Sequence, residues 1–139
     1  MNKILLKILV FLSLVLIPYT IEYKMNENAL NKRLDAAILL LVHHIGSVYL
    51  YFGSLIFGFY SFHFVYTTIV VVFWIKGQFY CSITNAYNNM IKIKSRENFK
   101  DIPYYLKKIT KIKYTQLLIA MGIMFYDIDR IFYQLTSNY

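Results

Sequence analysis

Residues 36–75 read AAILLLVHHIGSVYLYFGSLIFGFYSFHFVYTTIVVVFWI, forty consecutive positions without Asp, Glu, Lys, Arg, Asn or Pro. A helix of about 20 predominantly apolar residues crosses the hydrocarbon core of a bilayer. The run is long enough for two crossings and predicts a transmembrane helical hairpin. The chain must then reverse between Phe52 and Ser61, where Gly53, Ser54, Gly58 and Ser61 are the only helix-weakening residues.

On its N-terminal side lies a polar connector, residues 24–35, with Asn26, Asn28 and Asn31 and nearly balanced charges; Asn31 or Asp35 suits the cap of the next helix. Before that, residues 4–22 form a first apolar helix interrupted chiefly by Lys7 and Pro18. Lys3 and Lys7 ahead of residues 9–12 fit the basic and apolar regions of a signal peptide. The following Ile17-Pro18-Tyr19-Thr20-Ile21-Glu22-Tyr23 lacks the small-x-small pattern of a cleavage site, so a retained helix is expected.

On the C-terminal side, Lys76-Gly77-Gln78 closes the hairpin and opens an Asn-rich polar connector, residues 76–101. Asp101-Ile102-Pro103 reads as a helix start, predicting a long helix over residues 102–136 with a basic N-terminal half. The expected fold class is therefore all-α: an integral membrane bundle of three or four transmembrane helices, forming a single domain around the central hairpin.

Composition agrees with that solvent. Hydrophobic residues make up 58% of the 139 and charged residues 16%, against about 45–50% and 25% in soluble domains. The net charge is +8, but nine of the fifteen basic residues fall in residues 76–113, beside apolar segments. That placement speaks against a nucleic-acid partner and for anionic headgroups. With four spans, connectors 24–35 and 76–113 share one side and twelve basic residues, so the positive-inside rule puts both on the cytosolic or matrix side and both termini outside. The single Cys81 excludes an internal disulfide and a multi-cysteine metal site.

Candidate functional residues follow from cost. Ionisable groups within a membrane are expensive and default to functional hypotheses. All three histidines, His43, His44 and His63, fall within the hairpin. If the reversal lies near Gly53, His43 or His44 faces His63 at similar depth, and the pair can hold a b-type haem as axial ligands. If it lies at residues 57–61, His63 moves to the interface and the pairing fails. The competing reading is that neutral histidines hydrogen-bond between helices. His43, Gly46, Leu50 and Gly53 share one helical face, where the glycines allow close packing; Gly58 is the second marker of the turn. Trp74 and Tyr80 fit an interfacial anchor, and Lys107, Lys108, Lys111 and Lys113 fit contact with lipid headgroups or a partner. Asp127 and Arg130, three apart, are expected to pair on one helix face. A second intramembrane acid, as a proton relay would require, is not expected in the other spans. Cys81 lacks a downstream His, so catalysis by it is not expected; Ser82 or Thr84 suits the cap of a turn or short helix beginning at Asn85.

One pattern in residues 43–89 carries a resemblance. His43 or His44, Gly53, His63, Trp74, Cys81-Ser82-Ile83-Thr84 and Asn88 or Asn89 resemble a His…Gly…His…Trp…Cys-x-Leu-Thr…Asn pattern in small membrane proteins of bacteria and large DNA viruses. Phe73 stands where a second His is common, and Ile83 replaces Leu. The resemblance covers about a third of the chain and implies a compact membrane bundle with no assigned chemistry. In size, helix number and helix histidines the chain is also similar to the anchor subunits of succinate dehydrogenase. It lacks their Ser-x-x-His-Arg and paired Asp-Tyr signatures.

The expected function is a non-catalytic membrane subunit contributing structure or assembly to a larger complex, in a virion membrane or the mitochondrial inner membrane. Its expected partners are lipids, including bound phospholipid, and other membrane subunits. The alternative is a haem-binding anchor or electron-transfer subunit of a respiratory complex.

Overall fold

A computed structural model describes residues 2–77, 81–92, 108–112 and 114–137. Among these the only regular structure is helical. The bundle is built from α1 (Lys3–Met25), α2 (Glu27–Leu30), α3 (Leu34–Phe57), α4 (Tyr60–Lys76), α5 (Ser82–Met90) and α6 (Thr115–Thr136).

The reversal falls at Gly58 and Phe59. Gly58 takes φ +76°, and its N–H bonds the Ser54 carbonyl at 2.9 Å. This is the left-handed glycine stop that an L side chain disfavours. α4 starts two residues later, so α3 and α4 form a tight antiparallel hairpin. Gly53 lies inside α3, where it serves close approach: a Cβ there would stand 2.9 Å from the His63 ring of α4 and 2.7 Å from the Tyr49 ring. One and a half to two turns earlier, the Tyr66 hydroxyl of α4 donates to the Gly46 carbonyl at 3.1 Å.

α1 packs antiparallel to α3. Phe11 meets Phe57 edge-on at 5.3 Å, and Tyr19 meets His44. Asn2 caps α1 by accepting the Ile4 N–H, and the helix continues through Pro18 to Met25. α6 packs chiefly against α4. α5 is a short lid over the start of α3: its Tyr87 ring is buried with Leu30, Ala36, Ala37 and Leu40, where the two alanines leave it room. Arg33 fastens the far end of this lid by donating to the Met90 carbonyl.

Three local expectations are corrected. α3 begins at Leu34 with neither Asn31 nor Asp35 as its cap; Asp35 sits in the first turn, its carboxylate taking the Ala36 N–H and the Arg33 guanidinium. α5 starts at Ser82 with Cys81 as the capping position, three residues before Asn85. The long helix over residues 102–136 is interrupted: Lys111 adopts φ +59° outside helix, and α6 starts only at Thr115.

α1 and α3 are each long and apolar enough to cross a membrane, while α4 is apolar but 17 residues long. Large apolar side chains point away from the bundle on every long helix, including Leu5, Leu9 and Ile17 on α1, Ile38 and Leu55 on α3, Phe62 and Phe73 on α4, and Phe125 and Phe132 on α6.

Candidate functional site: buried histidines, acids and one thiol

Among the described residues the interior holds ionisable and hydroxyl side chains beside apolar ones. Both buried residues of α4, His63 and Thr67, are polar, and α6 buries Thr115, Ala120 and Asp127. His44, His63 and Asp127 each have 0% relative exposure. Buried ionisable groups persist only when paired, and each histidine has a different partner.

His63 lies one turn into α4, and its ring joins three helices. Nδ1 is 2.6 Å from Asp127 Oδ2 of α6, and Nε2 is 2.8 Å from the Tyr49 carbonyl of α3. A carbonyl oxygen can only accept, so Nε2 carries a hydrogen and donates it. One further proton then lies between Nδ1 and Oδ2, either on the ring as an ion pair or on the carboxyl as a neutral donor. The pair is net neutral in both forms. This neutrality makes its complete burial affordable, because an isolated ion would face several kcal/mol of desolvation. Asp127 Oδ1 accepts no hydrogen bond among the described residues.

His44 lies 3.4 Å through Nε2 from Glu22 Oε2 of α1. Glu22 is itself buried at 7% exposure, so the first apolar helix does carry an inward acid. The Tyr87 hydroxyl belongs to the same region, and burial followed by the Glu22 charge pushes its phenol well above the ordinary tyrosine range.

His43 turns the other way, toward the lid. Its Nδ1 is 3.9 Å from Cys81 Sγ, and its Nε2 is 3.2 Å from Ser47 Oγ, one turn along α3. Burial pushes the Cys81 thiol up, but the His43 ring, with the backbone and hydroxyl of Thr84, outweighs it and brings the thiol down to about 7.

The sequence-derived sites therefore separate. His43 and His63 do not face each other as haem ligands require: the reversal at Gly58 and Phe59 places His63 near the turn, and both its ring nitrogens are engaged. His63 is nonetheless buried, because α6 lies across it. Asp127 does not pair with Arg130; it reaches α4, while the Arg130 guanidinium sits 5.2 Å over the Tyr126 ring. Gly46 and Gly53 lie at the approach of α4, Leu50 is buried, and Gly58 makes the turn. Trp74 is half-buried in the last turn of α4; Lys108 and Lys111 are exposed; Tyr80, Lys107 and Lys113 lie outside the described residues. No group of three or more His, Cys, Asp or Glu among the described residues is placed to hold a metal ion. Pairing of Glu22 with His44 and of Asp127 with His63 was missed by reading charges helix by helix. The signal was the presence of acids on apolar helices whose facing helices carry histidine.

Comparison with protein-family models, curated proteins and solved structures finds no match for this chain.

Proposed function

We propose that this chain is a multi-span integral membrane protein with an architectural role, a small subunit holding together a larger membrane-embedded assembly. The observation that carries the reading is an exterior of large exposed apolar side chains around fully buried ionisable ones. Phe62, Phe73 and Phe125 are each more than 60% exposed, whereas His44, His63 and Asp127 are fully buried. In water that exterior would be an aggregation surface; in lipid it is the solvated surface, and internal polar pairs supply the specific contacts between helices.

In this reading α1, α3, α4 and α6 cross the bilayer. α4 at 17 residues is at the short end of the spanning range, and Trp74 and Lys76 in its last turn suit the headgroup level. Lys24, Lys32, Arg33, Lys76 and Lys92 are exposed around the end of the bundle that α5 covers; this end faces the cytosol or matrix and its anionic lipids. The buried His63–Asp127 and His44–Glu22 pairs each join one helix to another, which supports a structural role. A virion membrane or the mitochondrial inner membrane suits such a subunit.

The test is extraction of membranes from expressing cells at alkaline pH, followed by native electrophoresis in mild detergent. Retention in the membrane pellet, with migration in an assembly larger than the monomer, is expected. Release into the supernatant overturns the membrane placement, and migration as a monomer overturns the subunit role.

A further inference from the structure

Ionisable side chains are costly inside a membrane, and chains of Asp, Glu and His there mark proton routes. The buried acids and histidines of this bundle, with tyrosines and a thiol between them, form one continuous row. It starts at the turn, where Tyr60, the first residue of α4, is partly exposed, meets the Tyr126 ring at 6.0 Å and faces Asp127. Asp127 Oδ2 holds His63 Nδ1 at 2.6 Å, while its buried Oδ1 accepts no hydrogen bond among the described residues and is open to a proton. The His63 ring packs on the Tyr49 ring at 5.2 Å, and Tyr49 packs on Tyr66 at 5.2 Å. Tyr66 faces the Cys81 sulfur, which lies 3.9 Å from His43 Nδ1. The His43 and His44 rings are 5.7 Å apart, and His44 Nε2 is 3.4 Å from Glu22 Oε2, a second buried acid oxygen. Glu22 faces Tyr87 of the lid, whose hydroxyl bonds the partly exposed Asn26 at the end of α1. Along α3 the row runs from the level of Phe57, beside the turn, to that of Ala37, which packs on Tyr87. That length of helix rises roughly 30 Å, about the thickness of the hydrocarbon core.

We propose that this row conducts protons through the bundle, between Tyr60 and Asp127 at the turn and Glu22 and Tyr87 at the lid. The inference goes beyond the architectural role and rests on the membrane reading, because only a barrier between two compartments gives such a row a gradient to dissipate. A proton taken up on Asp127 Oδ1 releases the one shared at Oδ2 to His63 Nδ1. The doubly protonated His63 ring passes a proton to the Tyr49 hydroxyl when Nε2 leaves the Tyr49 carbonyl. Hydroxyl and thiol members accept one proton as they donate another, so none of them has to carry a charge. His43 and His44 receive the proton at the far end and pass it to Glu22. Each step breaks one O–H, S–H or N–H bond and makes another, and no electrons change owner. Two acids on different helices, each against its own histidine and joined by titratable groups, distinguish this row from a single structural ion pair.

The experiment uses the full chain reconstituted into potassium-loaded liposomes that hold a pH-sensitive dye, with valinomycin added to make the interior negative. Acidification of the interior several-fold faster than in protein-free vesicles is expected. Asp127→Asn, which keeps the hydrogen bond to His63, and Glu22→Gln, which keeps the shape of the acid, should each return the rate to that of protein-free vesicles. Gly122→Ala, with open space around its Cβ position, should retain the full rate. Acidification no faster than in protein-free vesicles, a full rate in either acid variant, or matching release of trapped calcein overturns the proposal. If an acid variant fails to fold, the rate of the unaltered protein and its calcein release still decide. Flotation of alkali-washed vesicles is read on the same sample. Protein that floats but gives no flux overturns the relay alone, and protein that does not float overturns the membrane reading and the relay with it.

Discussion

The His63–Asp127 pair makes an unequal response to mutation the sharpest expectation of this fold. Asp127→Asn keeps the shape of the side chain and puts an N–H opposite His63 Nδ1, which then accepts while Nε2–H still donates to Tyr49. Only the strength that charge lends a hydrogen bond is lost, about 1 kcal/mol. His63→Leu differs in kind. It strips Asp127, at 0% exposure, of its hydrogen bond to His63 and removes the bond to the Tyr49 carbonyl. Removing one partner of such a pair costs about 3–5 kcal/mol. At about 4 °C per kcal/mol for a chain of this size, that is a fall of roughly 12–20 °C in Tm, against about 4 °C for Asp127→Asn. The double variant His63→Leu with Asp127→Leu removes both polar groups and should recover most of the loss. Thermal unfolding followed by circular dichroism in micelles supplies all of the values. Equal losses in the two single variants, or a double variant no better than His63→Leu, would refute the reasoning.

Other substitutions separate close approach from free surface. Gly53→Ala places a methyl 2.9 Å from the His63 ring and should cost about 1–3 kcal/mol of stability in the same assay. Gly122→Ala, with open space around its Cβ position on α6, should be neutral or stabilising by up to about 1 kcal/mol. Gly58→Ala forces an L side chain to φ +76° and should lower stability by about 1–2 kcal/mol while leaving helix content by circular dichroism unchanged. Glu22→Ala should loosen α1 from His44, seen as faster proteolysis after Lys24 than in the unaltered protein.

Much of the helical framework is legible in the sequence, because each decisive signal is local. The forty-residue apolar run demands two helices whatever packs around them, and Gly58 stops the first. What residues 36–75 do not reveal is which face of each arm meets which neighbour. His43 and His44 are adjacent, yet adjacent positions on a helix point about 100° apart, so one meets Cys81 and the other Glu22. No local pattern in residues 38–50 states this. Whether His43 faces His63 turned on two open positions for the reversal, near Gly53 or at residues 57–61, and no local signal chose the Gly58–Phe59 turn that leaves His63 beside it. Cys81 looked isolated because its His43 neighbour lies 38 residues upstream and meets it through the packing of α5 on α3. The break at Lys111 was hidden for the opposite reason: the surrounding lysines and isoleucines keep helical spacing, while a left-handed backbone leaves no mark in the identity of the residue adopting it.

The arrangement of the helices across a bilayer is tested most directly by a membrane-impermeant lysine reagent on sealed vesicles, with labelled positions mapped by mass spectrometry. Lys3 at the start of α1 should label on one side. Lys24, Lys32, Lys76 and Lys92 should share the other side, labelling as a set only when that face is presented or the vesicle is opened. Labelling of Lys3 together with Lys24 and Lys76 in intact vesicles of one orientation would contradict the account.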